Sequence, residues 1–150
     1  MYNALTIAKW FVAWAEAEDA DMSNLKLQKL LYYAQGHSLA STGQPLFSDT
    51  IQAWAHGPVV PSVYHEFKHW ESGDVHLDDD DPFDFSDVDG EATDLLLRTW
   101  NTYGGYAAWR LRNMTHNESP WRETFDVGRR NATIPTEAMR EHFASRTQRS

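Results

Sequence analysis

The chain has 150 residues, 41% of them hydrophobic and 13% aromatic, which suits one ordinary domain with enough apolar area to be stable without a disulfide or metal staple. It contains no cysteine, so disulfides, thiolate nucleophiles and Cys-ligated zinc are excluded; with no secretory leader read at its start, the expectation is a reducing cytoplasm. The formal charge of −9, from 22 acidic and 13 basic residues, disfavours nucleic-acid binding and suits a basic protein partner, and no run approaches the ~20 apolar residues of a membrane span.

Residues 3–17 carry Leu5, Ala8, Phe11, Val12 and Ala15 at helical spacing and run into an acidic linker at Asp19 and Asp21. Ser23 is placed to cap a second helix, in which Leu27, Leu30, Leu31, Ala34 and Ser38 follow the i, i+3, i+4 pattern until Gly43 ends it. Residues 46–55 shorten into Leu46-Phe47 and Ile51 to Trp54, which read as a small strand pair or a buried turn. Gly57-Pro58 marks a break, and Pro61 opens a third helix through about Trp70, with Val63, Phe67 and Trp70 facing inward.

Residues 74–90 are Asp-rich, with Phe83 and Phe85 as aromatic anchors of a solvated loop. A helix from Asp89 or Gly90 to Tyr103 follows, then a shorter one from Tyr106 to about Met114, a T-H-N-E-S-P-W turn at Thr115 to Trp121, and a last helix over about 135–146 with a tail expected to fray. Arg129, Arg130, Arg140, Arg146 and Arg149 are the only basic clustering, read as a solvated face. The fold class predicted is mainly α: a single domain over 1–150 of about six helices with a short β piece around 46–55.

One stretch has the form of a zinc site. His65-Glu66-Phe67-Lys68-His69 matches H-E-x-x-H, in which histidines one turn apart hold the metal and the glutamate activates its water. A third ligand decides that reading, and His76 falls one residue off the spacing such sites use. The plainer reading, a surface face of the third helix beside a buried Phe67, is preferred, so no metal and no cofactor is expected. His116 and Glu118 belong to a turn with no nucleophile tied to them by spacing.

Three stretches together carry a family likeness: N-L-K-L-Q-K-L-L-Y-Y-A-Q-G (Asn24 to Gly36) followed by P-L-F (Pro45 to Phe47), A-W-A-H-G-P-V-V-P-S-V-Y (Ala53 to Tyr64), and L-x-x-x-T-H-x-E-x-P-W (Leu111 to Trp121). In order and spacing they resemble the Panacea domain, the SocA-like or GepA-like antitoxin domain of bacterial and phage toxin–antitoxin pairs, over roughly residues 3–125. The resemblance implies a non-enzymatic protein that neutralises a toxin encoded next to it by direct binding. On that reading Trp54, His56 and Tyr64 supply buried contact, and Asp78, Asp79, Asp80 and Asp81 steer association with a basic toxin surface. Two other readings compete: an adaptor that delivers a bound protein to a protease, and a zinc peptidase using His65, Glu66 and His69. A DNA-binding repressor ranks below both, because a helix-turn-helix segment and a basic face are lacking.

Overall fold

A helix buried on all sides organises the molecule. In the computed structural model, which describes residues 1–147, α2 (Asn24–Thr42) packs against α1 (Ala4–Ala17), α3 (Pro61–Phe67), α4 (Gly90–Tyr103), α5 (Ala108–His116) and α7 (Thr136–Thr147). Its apolar positions Leu27, Leu30, Leu31 and Ala34 are fully buried, but so are Gln28 and Lys29 between them. A helix enclosed this way has no solvated face, so its sequence shows little amphipathicity. The side chain of Ser23 accepts from the Lys26 N–H at the N-cap, and Gly43 closes the other end in the left-handed region (φ 76°).

The short β piece expected around 46–55 is present, with its partner strand just beyond that range. β1 (Gln52–Trp54) turns through Ala55 and His56 into β2 (Gly57–Val59), with Trp54 opposite Gly57 and Gln52 opposite Val59. Gly57-Pro58, expected as a break, is therefore strand. β3 (Ala132–Thr133) pairs with the other edge of β1, giving the order β2-β1-β3; two residues of strand are too short to leave a period in the sequence.

The third helix also stops earlier than expected. It ends at Phe67, Lys68–Trp70 form a 3₁₀ turn, and Glu71 takes a left-handed φ of 55°. After α5 comes the short α6 (Ser119–Arg122), with Pro120 in its first turn. The tail residues 148–150, Arg149 among them, lie outside the described residues, as does the side chain of Arg146.

The Asp-rich loop is tied down along its length. Asp74 accepts from the Met22 N–H (2.9 Å), Asp81 pairs with Lys9 of α1 (2.9 Å), and Asp89 caps α4 while accepting from the Tyr2 hydroxyl (2.6 Å). Phe83 and Phe85 anchor it as anticipated, Phe85 meeting the stacked pair Trp10 and Trp14 edge-on. Among the described residues, no helix is long and apolar enough to cross a membrane.

Candidate functional site

The polar side chains of α2 satisfy backbone groups of two irregular segments buried against it. Gln35 accepts from the N–H groups of Leu46 and Phe47 (2.8 and 3.1 Å) and donates to the Phe47 carbonyl (2.9 Å). Two turns earlier, Gln28 accepts from the Val60 N–H (2.9 Å) and donates to Asn24 (2.9 Å), whose amide donates in turn to the Tyr64 carbonyl (3.1 Å). Buried peptide groups outside regular structure need such partners. One helix face thereby holds both P-L-F and G-P-V-V-P in place.

Lys29 is wholly buried and donates from Nζ to the Pro58 carbonyl (3.1 Å). Burial, and secondarily the Arg112 guanidinium, push its ammonium down to about 7. A Cβ at Gly57 would meet Lys29 Cε at 2.6 Å and Thr115 Oγ1 at 2.9 Å, and φ there is +108°. Glycine is required at 57 on both counts.

Glu118 anchors the T-H-N-E-S-P-W turn from inside. Buried at 5% exposure, its carboxylate accepts from the hydroxyls of Tyr32 and Tyr33 at 2.9 Å each, and His142 Nε2 of α7 lies 3.9 Å away. Burial, then the Glu118 charge, hold the Tyr32 phenol well above its usual range. Tyr33 stacks on Tyr103 (3.9 Å between centroids), whose hydroxyl lies 2.8 Å from His37 Nε2. Trp121 donates from its indole to the Trp54 carbonyl (2.7 Å) and stacks face to face on His116 (3.9 Å). Burial, then the charges of Arg112 and Lys29, hold the His116 imidazole below its usual range.

The residues expected to bind a partner lie in two places. Trp54 and Tyr64 are each half-buried and meet edge to face (5.0 Å), sharing the role of core and surface; His56 is exposed at the hairpin turn beside them. Asp78, Asp79 and Asp80 are exposed, whereas Asp81 is half-buried in its pair with Lys9 over α1.

The H-E-x-x-H residues are spread over two elements: His65 is on α3, but His69 is in the 3₁₀ turn beside Trp70, and His76 bonds Glu16 (3.0 Å). Among the described residues, no group of three or more His, Cys, Asp and Glu is placed to hold a metal. The buried roles of Lys29, Gln35 and Glu118 were not anticipated. For Lys29 and Gln35 the one signal was position, in a helix whose leucines and tyrosines are almost all buried.

These framing residues fall within a known sequence pattern. Residues 27–122 match the family described as "Antitoxin SocA-like, Panacea domain". The chain is also similar to Antitoxin SocA of Caulobacter vibrioides (strain NA1000 / CB15N), 45% identical over 65 residues that make up 43% of this chain and 35% of the relative. The similarity thus spans about a third of that relative's length. No solved structure matches the chain. The matched segment runs from α2 through α6, more than half of the chain, and includes Gln28, Lys29, Gln35, Gly57, Glu118 and Trp121. The chain belongs to the SocA-like, Panacea-domain family of antitoxins.

Proposed function

We propose that this protein neutralises a protein toxin, encoded beside it, by binding it directly in the cytoplasm, with no catalytic step of its own. Beyond the family, the reading is supported by where the motif side chains are directed. Asn24, Gln28, Gln35, Glu118 and Trp121 all make their hydrogen bonds inward, to backbone or to one another's neighbours, so that the motif is a frame. A surface fixed by such a frame loses little conformational entropy on association.

The contact face we assign is the hairpin and α3 surface of Trp54, His56 and Tyr64. Large, rigid aromatic side chains of this kind carry much of the energy of protein interfaces. The exposed carboxylates of Asp78, Asp79 and Asp80, with Asp81 behind them, act at longer range by steering a basic part of the toxin.

Co-expression tests the reading. The chain and the product of its adjacent gene are induced singly and together, and recovered through a tag on this chain. Growth arrest by the neighbour alone, relief by co-expression and recovery of both proteins are the expected results. A harmless neighbour, or relief with no complex between the two, overturns neutralisation by direct binding.

A further inference from the structure

Charge is divided along this chain. Residues 1–95 carry 17 acidic and 4 basic side chains, whereas residues 96–150 carry 5 acidic and 9 basic, and every arginine lies in the second stretch. Within that stretch α5 has two unlike faces. Leu111 and Thr115 are buried against the core, while Trp109, Arg112, Asn113 and His116 recur at the spacing of one helical stripe on the outer side.

Trp109 is 66% exposed, the most exposed aromatic side chain among the described residues. Arg112 is half-buried and its guanidinium donates to the Asn113 side chain (3.1 Å). His116 is stacked on Trp121, which bonds the Trp54 carbonyl next to the exposed His56, so the stripe runs on into the hairpin turn. Lys29 lies beneath that turn.

None of the ion pairs among the described residues includes Arg112, Lys29, His56 or His116. The nearest acid in sequence, Glu118, is buried and bonded to Tyr32 and Tyr33. A strongly acidic protein therefore presents, one turn from the exposed Trp109, an Arg112 guanidinium that no ion pair among the described residues engages. Trp and Arg together are also the side chains most enriched at binding hot spots.

We propose that the outer stripe of α5, formed by Trp109, Arg112 and His116 and continued by His56, is the docking site for an acidic surface of the toxin. Trp109 enters an apolar pocket on the toxin, a carboxylate at the rim of that pocket meets Arg112, and the exposed His56 offers a ring nitrogen for a further hydrogen bond. This rests on the direct-binding reading and adds to it the half of the interface whose charge is opposite to that met by the Asp-rich loop. Exclusion of water around a central aromatic side chain strengthens the surrounding charge pairs.

The test uses the full chain and the product of the adjacent gene, with binding kinetics measured for Trp109→Ala, Arg112→Gln and Arg112→Glu. Both positions are on the outer face, and an unchanged thermal midpoint checks that each of the three variants is folded. The expected results are at least a tenfold loss of affinity for Trp109→Ala and for Arg112→Gln, a larger loss for Arg112→Glu, and a weaker salt dependence for Arg112→Gln than for the wild-type chain. Wild-type affinity in folded Trp109→Ala and Arg112→Gln overturns the stripe while leaving direct binding intact; failure of the wild-type chain to bind overturns both. A change confined to self-association in gel filtration assigns the stripe to a second copy of this chain and also overturns the proposal.

Discussion

Glu118 illustrates how much one buried carboxylate can organise. Two tyrosine hydroxyls from consecutive positions of α2 donate to its two oxygens, so each oxygen has a distinct partner. Replacing it by glutamine retains one acceptor and sets an amide donor against a hydroxyl donor. Glu118→Gln is therefore expected to lower unfolding free energy by about 1–3 kcal/mol, the cost of a buried polar group left unsatisfied. Urea denaturation measures it, and a cycle with Tyr32→Phe and Tyr33→Phe separates the two bonds: the glutamine variant should cost less in whichever phenylalanine background removes the clashing donor. Equal costs in all backgrounds would mean that the carboxylate acts independently of the tyrosines.

Among the elements, α7 is fixed to α2 by shape. Phe143 covers Gly36, where any Cβ would fall within the ring, and the same ring meets Tyr32 and Tyr33 edge-on. Gly36→Ala is expected to destabilise by about 1–3 kcal/mol through overpacking. Phe143→Ala costs about 3–5 kcal/mol by itself, but Gly36→Ala added to Phe143→Ala should cost almost nothing, a non-additivity that thermal melts can detect.

The Asp-rich loop makes a different kind of prediction. Because Asp78, Asp79 and Asp80 are exposed, their joint replacement by Asn should leave the thermal midpoint within a degree or two and slow toxin association several-fold at low salt. An unchanged association rate removes the loop from the interface.

The long helices, the cap at Ser23, the Gly43 stop and the aromatic anchors of the loop were legible from residue periodicity and capping chemistry. The enclosure of α2 was not, because Gln28 and Lys29 read locally as a polar face and are buried only by elements far along the chain. β3 and the link from α7 to Glu118 were hidden for the same reason: they depend on long-range pairing with β1 and on His142 reaching a turn more than twenty residues earlier. Trp109 could have been singled out on α5 once Leu111 and Thr115 were assigned to the inner face.

For the molecule as a whole, buried titratable groups set an uncommon dependence of stability on pH. Lys29 binds its proton below 10.5 when unfolded but only below about 7 in the fold. Between those values the unfolded chain holds the extra proton, so stability rises with pH by about 1.4 kcal/mol per unit. His116 adds the same sign lower down: held below its ordinary range, it loses stability as pH falls beneath 6.5, where the unfolded imidazole protonates first. Tyr32 opposes both at high pH, since the folded chain keeps a phenolic proton that the unfolded chain gives up near 10. The urea midpoint should climb from pH 6 to about 10 and turn over above that. Lys29→Met should flatten the climb between pH 7 and 9 and leave the fall above 10 in place; an equally steep climb in that variant would assign it to another group.

The matched segment, residues 27–122, is a unit of resemblance but not of folding. α1 precedes it and β3 and α7 follow it, yet Phe11, Met139 and Phe143 are part of the same core as Leu30 and Leu31. A chimaera spliced at those two boundaries would inherit one relative's frame with another's lid, and Gly36 would have to fit a ring it did not evolve with. If the proposed contact surfaces set specificity, its exchange between relatives is better made by grafting surface residues of the hairpin and α5 onto an intact chain, where the host core is left whole.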